Sequence, residues 1–241
     1  MKTRAILVAG GKGSRLYPFT HYTQKTLLPL FDRPVIDYAL GTIRRGAISR
    51  ITIISNEHIG QIAKHVGQSL EGEQIHYVLE EEPQGVAQAL LLARPHNENC
   101  RLMIYFSDNI TTVEFEQLVQ DFSEAENPPG CLLLARKEKN PQAFGVAVLG
   151  DDGRIVDVVE KPENPPSNLA IGGIYLFDET FGTSSTVLSK KRAMPSQYLI
   201  SIGPTLLKER LSSSRLVLKH GSIVVRLKHF FKPVLWREKG N

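Results

Sequence analysis

Ala9-Gly10-Gly11-Lys12-Gly13-Ser14-Arg15-Leu16 follows directly on a short apolar run and is the strongest chemical signal in the 241-residue chain. Glycines let backbone N–H groups approach a polyphosphate closely, and ligands of open α/β sheets sit beyond the carboxyl ends of strands. Two familiar glycine patterns fail on inspection. A dinucleotide fingerprint starting at Gly11 needs Gly or Ala where Leu16 stands, and a Walker loop needs Ser or Thr where Gly13 follows Lys12. Two cations come next, in Arg15-Leu16-Tyr17-Pro18 and Gln24-Lys25-Thr26-Leu27-Leu28-Pro29. Singly, each reads as a solvated surface charge. Together, past the same strand end as the glycines, Arg15 and Lys25 could clamp a triphosphate and stabilise charge on a transferring phosphorus.

Other reactive side chains read more plainly. Ser107-Asp108-Asn109 closes a predicted strand and suits a helix cap. Glu80-Glu81-Glu82 reads as a solvated run rather than a metal cluster, with Glu80 set apart by its place before Pro83. His58 and His65 fall seven residues apart on one predicted helix face, without acidic or Cys neighbours, and read as surface residues. Cys100 and Cys131 lack metal-ligand spacing, which argues against a zinc site or a disulfide scaffold and leaves two inert thiols.

The elements that must position these residues follow from the apolar pattern. Thr3–Ala9, Arg50–Ser55, Ile75–Leu79 and Arg101–Phe106 read as buried strands. Helices are predicted after Pro34 through Ile43, over Ile59–Leu70, over Val86–Ala93 and over Val113–Ala125. That alternation predicts right-handed crossovers and a doubly wound, mostly parallel α/β sheet covered on both faces. After Pro128-Pro129-Gly130 the rhythm turns β-rich, with strands at Cys131–Arg136, Phe144–Leu149, Ile155–Val159 and Ile171–Phe177. Beyond them Thr205–Arg210 reads as helical and Ser222–Leu227 as a strand. One domain over 1–241 is expected, with lobes at 1–128 and 129–181 and a basic segment at 182–241.

Composition limits the function classes. Hydrophobic residues are 41% and charged residues 22%, values of a globular chain with a sizeable core. No run approaches the ~18 apolar residues of a membrane span, and the N-terminus lacks a signal-peptide layout, so a cytoplasmic protein is expected. The net charge of +4 is uneven: from residue 182 onward 12 Lys and Arg face two acids, leaving 17 basic against 23 acidic residues before it. The basic segment lacks interleaved aromatics and any nucleic-acid motif, so an anion-facing or solvated surface is expected rather than a nucleic-acid partner.

On these residues the sequence resembles the sugar-1-phosphate nucleotidylyltransferases, and within them the glucose-1-phosphate thymidylyltransferases. The blocks are AGGKGSRLYPFT…QKTLLPL over 9–30, Pro83-Gln84-Gly85-Val86-Ala87-Gln88-Ala89, Ser107-Asp108-Asn109 and Ala143-Phe144-Gly145-Val146. They continue through Val159-Glu160-Lys161-Pro162, Pro165 to Ala170 and Gly173-Ile174-Tyr175, in the family's order over residues 3–178. The resemblance implies a Rossmann-like fold with a β-rich sugar-binding lobe. It also implies transfer of a nucleotidyl group from a nucleoside triphosphate to a sugar 1-phosphate, with in-line attack on the α-phosphorus and release of pyrophosphate. By the same resemblance Ala9, Gly10, Gly11, Gly13 and Ser14 line the nucleotide loop, and Glu80, Pro83 and Gly85 meet the base. Arg15 would grip the β- and γ-phosphates, Lys25 the α-phosphate or the attacking phosphate, and Asp108 a Mg²⁺. Gly145, Glu160, Lys161 and Ile171 would form the sugar-phosphate half-site. A homo-oligomer is implied as well.

Three departures qualify this. Thymidylyl members place Gln, with one donor and one acceptor for the pyrimidine edge, where this chain has Glu80. An ionised carboxylate only accepts, which suits guanine N1–H and N2–H₂, although thymine or uracil could still offer N3–H. A late metal aspartate of the family falls at Ile202, which cannot ligate Mg²⁺. Finally, Trp236-Arg237-Glu238-Lys239-Gly240-Asn241 resembles a family segment, Trp-x-Asp-x-Gly-Thr, after which members continue. The C-terminal quarter is therefore expected to be divergent, truncated or altered in frame. Two readings follow: an active nucleotidylyltransferase using dTTP or UTP with glucose 1-phosphate, or a sugar-nucleotide-binding pseudoenzyme or regulatory subunit.

Overall fold

A computed structural model describes residues 2–67, 72–82, 84–111, 116–126, 131–151, 155–179, 215–219 and 222–226. Its elements in chain order begin with β1 (Thr3–Val8), a two-residue ribbon of β2 (Pro29–Leu30) and β3 (Arg33–Pro34), α1 (Val35–Arg45) and β4 (Arg50–Ser55). They continue with α2 (Ile59–Val66), β5 (Gln74–Leu79), α3 (Val86–Ala93), β6 (Arg101–Phe106), α4 (Glu116–Glu124) and β7 (Cys131–Lys137). The remainder are β8 (Gly145–Leu149), β9 (Ile155–Glu160), β10 (Leu169–Phe177), β11 (Arg215–Lys219) and β12 (Ser222–Arg226).

The main sheet runs β11-β12-β7-β10-β6-β1-β4-β5, with β8 joined to β10 and β9 to β8. β1 lies parallel to both β4 and β6, and β4 parallel to β5. β10 enters antiparallel beside β6, and β7, β12 and β11 follow it antiparallel.

Side-chain alternation explains why helices cover both faces of the parallel part. Ala5 and Leu7 of β1, Ile51 and Ile53 of β4 and Met103 and Tyr105 of β6 pack with Ile36, Ala39, Leu40 and Ile43 of α1, Ile62 of α2 and Val119 and Phe122 of α4. The intervening Ile6, Ile54, Leu102 and Ile104 pack with Ala89 and Ala93 of α3 on the opposite face. Successive strand residues point to opposite sides, so near-continuous apolar strands feed two cores at once. α1 starts after Pro34, whose fixed φ suits a helix entry, and stops at Gly46, whose N–H reaches the Thr42 and Ile43 carbonyls.

The doubly wound α/β expectation is met. α4 is described over Glu116–Glu124, and residues 113–115 of the expected helix lie outside the described residues. Pro83, Ile202, the Thr205–Arg210 helix expectation and Trp236–Asn241 also lie outside them. β12 matches the strand expected at Ser222–Leu227, while β11, unforeseen, pairs with it from Arg215↔Arg226 to Lys219↔Ser222.

Candidate functional site

The glycine loop leaves β1 at its carboxyl end. Ala9 is still sheet-like, its N–H bonded to the Ile54 carbonyl at 2.7 Å. At Gly13 the chain turns through φ 62°, ψ 30°, a left-handed conformation that glycine adopts without strain, into a single 3-10 turn at Ser14–Leu16. A Cβ on Gly13 would lie 2.8 Å from Thr20 Cγ2 and 3.0 Å from Lys25 Cβ, so the loop packs tightly on the segment carrying the second cation.

That segment is pinned by Gln24. Its buried side-chain amide donates to the Ala9 carbonyl and faces the Ser55 hydroxyl at 3.2 Å and the Asn56 carboxamide oxygen at 3.4 Å. Its oxygen accepts the Lys25 N–H at 2.5 Å. Gln24 thereby ties the loop, the end of β4 and Lys25 into one unit. The Lys25 stem lies over Gly11, where a Cβ would sit 3.2 Å from both Cε and Nζ. Its ammonium reaches Asp108 Oδ2 at 2.5 Å, with side-chain exposures of 23% and 51%. Lys25 and Asp108, 83 residues apart in sequence, thus converge over the glycines.

Asp108 is set by its neighbour. Asn109 donates to the Phe106 carbonyl at 3.1 Å and accepts the Gly173 N–H at 3.3 Å. A Cβ on Gly173 would come 2.4 Å from Asn109 Nδ2 and Phe106 Cδ2, so only glycine lets β10 run this close to the 107–109 turn. Ser107-Asp108 forms a turn, and the partner of the Asp108 carboxylate is Lys25. Arg15 is exposed on the 3-10 turn and makes no ion pair with a described residue; Ser14 beside it is exposed too.

Glu80 departs from the solvated reading of its acidic run. Glu81 and Glu82 are exposed, but Glu80 is 4% exposed and packs on the loop, where a Cβ on Gly10 would stand 2.6 Å from its Oε2. Burial pushes its carboxyl above the usual carboxylate range, against a smaller opposing effect of the Gln84 backbone N–H. Gly85, with φ 102°, leads into α3.

The second cluster lies on β8, β9 and β10. Gly145 stands opposite Glu160 in the β8–β9 register, and a Cβ there would sit 3.2 Å from Glu160 Oε2 and 3.9 Å from Ile171 Cβ. Lys161, at φ 41°, donates its N–H to the Phe144 carbonyl at 2.9 Å, and its ammonium lies 3.5 Å from Glu160 Oε1. The structure therefore brings Gly145, Glu160, Lys161 and Ile171 together. His58 precedes α2 instead of lying on it, and His65 pairs with Asp37 of α1 at 2.9 Å, an acidic neighbour hidden 28 residues away. Cys100 is a buried free thiol.

The profile of the nucleotidyl transferase family matches residues 4–213. The chain belongs to that family. A glucose-1-phosphate thymidylyltransferase of Streptomyces antibioticus is 35% identical over 175 residues, covering 72% of this chain and 49% of the relative. The chain spans about half the length of that curated relative. A Bacillus anthracis protein assigned as a glucose-1-phosphate thymidylyltransferase and solved with sucrose superposes with a TM-score of 0.77 at 31% identity, covering 87% of this chain and 84% of its own. A UDP-glucose pyrophosphorylase solved with UDP-glucose shares the fold, with a TM-score of 0.71 at 20% identity over 86% and 88% of the two chains.

Among the described residues, no group of three His, Cys, Asp or Glu side chains could hold a metal, and no helix is long and apolar enough to cross a membrane. Mg²⁺ does not need such a cage: it is commonly held by one or two carboxylates together with substrate phosphates. The half-exposed Asp108 carboxylate beside the glycine loop fits an ion that arrives with a nucleotide.

Proposed function

We propose that this chain transfers a nucleotidyl group from a nucleoside triphosphate, dTTP or UTP by preference, to a sugar 1-phosphate, glucose 1-phosphate by preference, and releases pyrophosphate. The reading rests on one observation above all: Lys25 and Asp108 meet over Gly11, beyond the carboxyl ends of β1 and β6. The named activity of the Streptomyces relative supports it.

In this reading the N–H groups of the Gly10–Ser14 loop cradle the triphosphate and Arg15 takes the β- and γ-phosphates. Lys25 holds the α-phosphate or the attacking phosphate and offsets charge as the in-line displacement proceeds. Asp108 would hold Mg²⁺, which supplies charge neutralisation across the phosphates when bound. Glu160 accepts from sugar hydroxyls, Lys161 faces the sugar phosphate, and Gly145 and Ile171 leave room for the ring. Glu80, Pro83 and Gly85 border the base. Alignment of the two phosphates is the main contribution asked of the protein.

A second reading, binding of a sugar nucleotide without turnover, is favoured by Ile202 at the position of the family's second metal carboxylate. One assay separates the two: pyrophosphate release with a panel of triphosphates and sugar 1-phosphates, run beside equilibrium nucleotide binding. Release with dTTP or UTP and glucose 1-phosphate supports the first reading. Saturable binding without release supports the second, and absence of both refutes each.

A further inference from the structure

Glu80 is a buried acid without a countercharge. Its N–H completes the sheet edge at the Ser55 carbonyl, 2.8 Å away, and its side chain turns in against Gly10. Oε1 is buried with no hydrogen-bond partner. The groups packed round it are uncharged. Gly10 lies on the loop side, Ser55 and Asn56, both engaged with Gln24, lie at the end of β4, and the Gln84 backbone N–H is the one donor to the carboxyl, an effect smaller than that of burial. The charged or titratable residues flanking these segments are Lys12, Glu57, Glu81 and Glu82, all exposed, the half-buried His58, and Lys25, whose ammonium lies over Gly11 and pairs with Asp108; no ion pair joins any of them to Glu80. An ionised carboxylate in such a setting is costly, whereas a neutral carboxyl lacks only one partner.

We propose that Glu80 serves the nucleotide site as a neutral carboxylic acid, giving one hydrogen bond and accepting one, and so selects a base edge with a donor beside an acceptor, such as the imide of thymine or uracil. The proposal rests on the function proposed above for its substrate. It reverses what the residue type suggests, because an ionised Glu80 would favour a donor–donor edge such as that of guanine. Deprotonation would then turn the donating oxygen into an acceptor facing a base carbonyl. Base affinity becomes pH-dependent through this one side chain.

The test is equilibrium binding of UTP, dTTP and GTP across a pH series, for the wild type and for Glu80→Gln, whose amide keeps one donor and one acceptor at every pH. The triphosphate and the other side chains titrate alike in both proteins, so their difference isolates Glu80. UTP and dTTP affinity of the wild type relative to Glu80→Gln is expected to fall by roughly tenfold per pH unit above the carboxyl's titration, with GTP gaining relative to both. Infrared difference spectra between the two proteins are expected to show a protonated carboxyl at neutral pH. A constant affinity ratio at every pH, an ionised Glu80 at neutral pH, or no nucleotide binding at all overturns the proposal. Binding needs no turnover, so failure of pyrophosphate release beside a pH-dependent ratio removes the catalytic reading and leaves this one standing.

Discussion

Replacing Lys25 by Ala should separate chemistry from stability. The ammonium is 2.5 Å from Asp108, but the partners are 23% and 51% exposed, so the pair is screened and contributes ~0–1 kcal/mol. The stem lies over Gly11 and Gly13, and its loss adds about 1 kcal/mol of buried methylene. A total near 1–2 kcal/mol would lower Tm by roughly 2–8 °C in a chain of this size. If Lys25 instead offsets charge in the transition state, its removal should lower kcat by about 10²–10³-fold, or ~2.7–4 kcal/mol. Pyrophosphate release at saturating substrates, beside a thermal melt of the same sample, measures both numbers. Lys25→Arg keeps the charge but swaps a compact ammonium for a planar fork, and should recover only part of the rate. A Lys25→Ala protein that melts cooperatively and turns over within a few-fold of wild type refutes the catalytic role. One that no longer melts cooperatively shows a structural residue instead.

Three further outcomes are expected. Gly13→Ala forces a left-handed φ of 62° on alanine and drives a methyl within 2.8 Å of Thr20, and urea unfolding should show a loss of ~2–4 kcal/mol. Gly145→Ala puts a methyl 3.2 Å from Glu160 Oε2, and steady-state kinetics should show KM for the sugar phosphate rising about tenfold, roughly 1.4 kcal/mol, with KM for the nucleotide unmoved. Burial holds the Glu80 carboxyl above its ordinary value, so the stability from its proton is present in acid and lost as pH rises through the raised folded value. Glu80→Gln should therefore melt above wild type in weakly alkaline buffer, with the gap closing on acidification; a gap of constant size would contradict this.

The parallel half of the fold was legible because β1, β4 and β6 are apolar runs, β1 stopping at glycines and β6 at Ser-Asp, and because α1 repeats its apolar residues at helical spacing. What sequence pattern concealed is tertiary. Glu80 looks like one of three solvated acids, yet it is buried with its carboxyl against Gly10 of the loop. Gln24 sits inside a motif whose neighbour carries the charge, so its role in tying Ala9, Ser55 and Asn56 to Lys25 depends on strands 46 residues apart in the chain. β11 is a three-residue apolar stretch between Arg215 and Lys219, too short to stand out until β12 pairs with it.

The antiparallel entry of β10 explains how one sheet can serve two clusters. β6 runs toward the site and ends at Phe106, just before Asp108. β10 runs the other way, pairing Ile174 with Tyr105, so the residues preceding Ile174 extend past the end of β6 on the side of the 107–109 turn. Gly173 meets Asn109 there, Ile171 lies two residues further on, and Ala170 pairs with Val146 next to Gly145. A parallel strand in this place would carry its N-terminal residues to the opposite end of the sheet, away from Asp108. A one-residue slip would turn Ile171 to the other face. A register break against β7 between Ile171 and Tyr175, spanning Gly172-Gly173, separates the residue beside Gly145 from the glycine that meets Asn109.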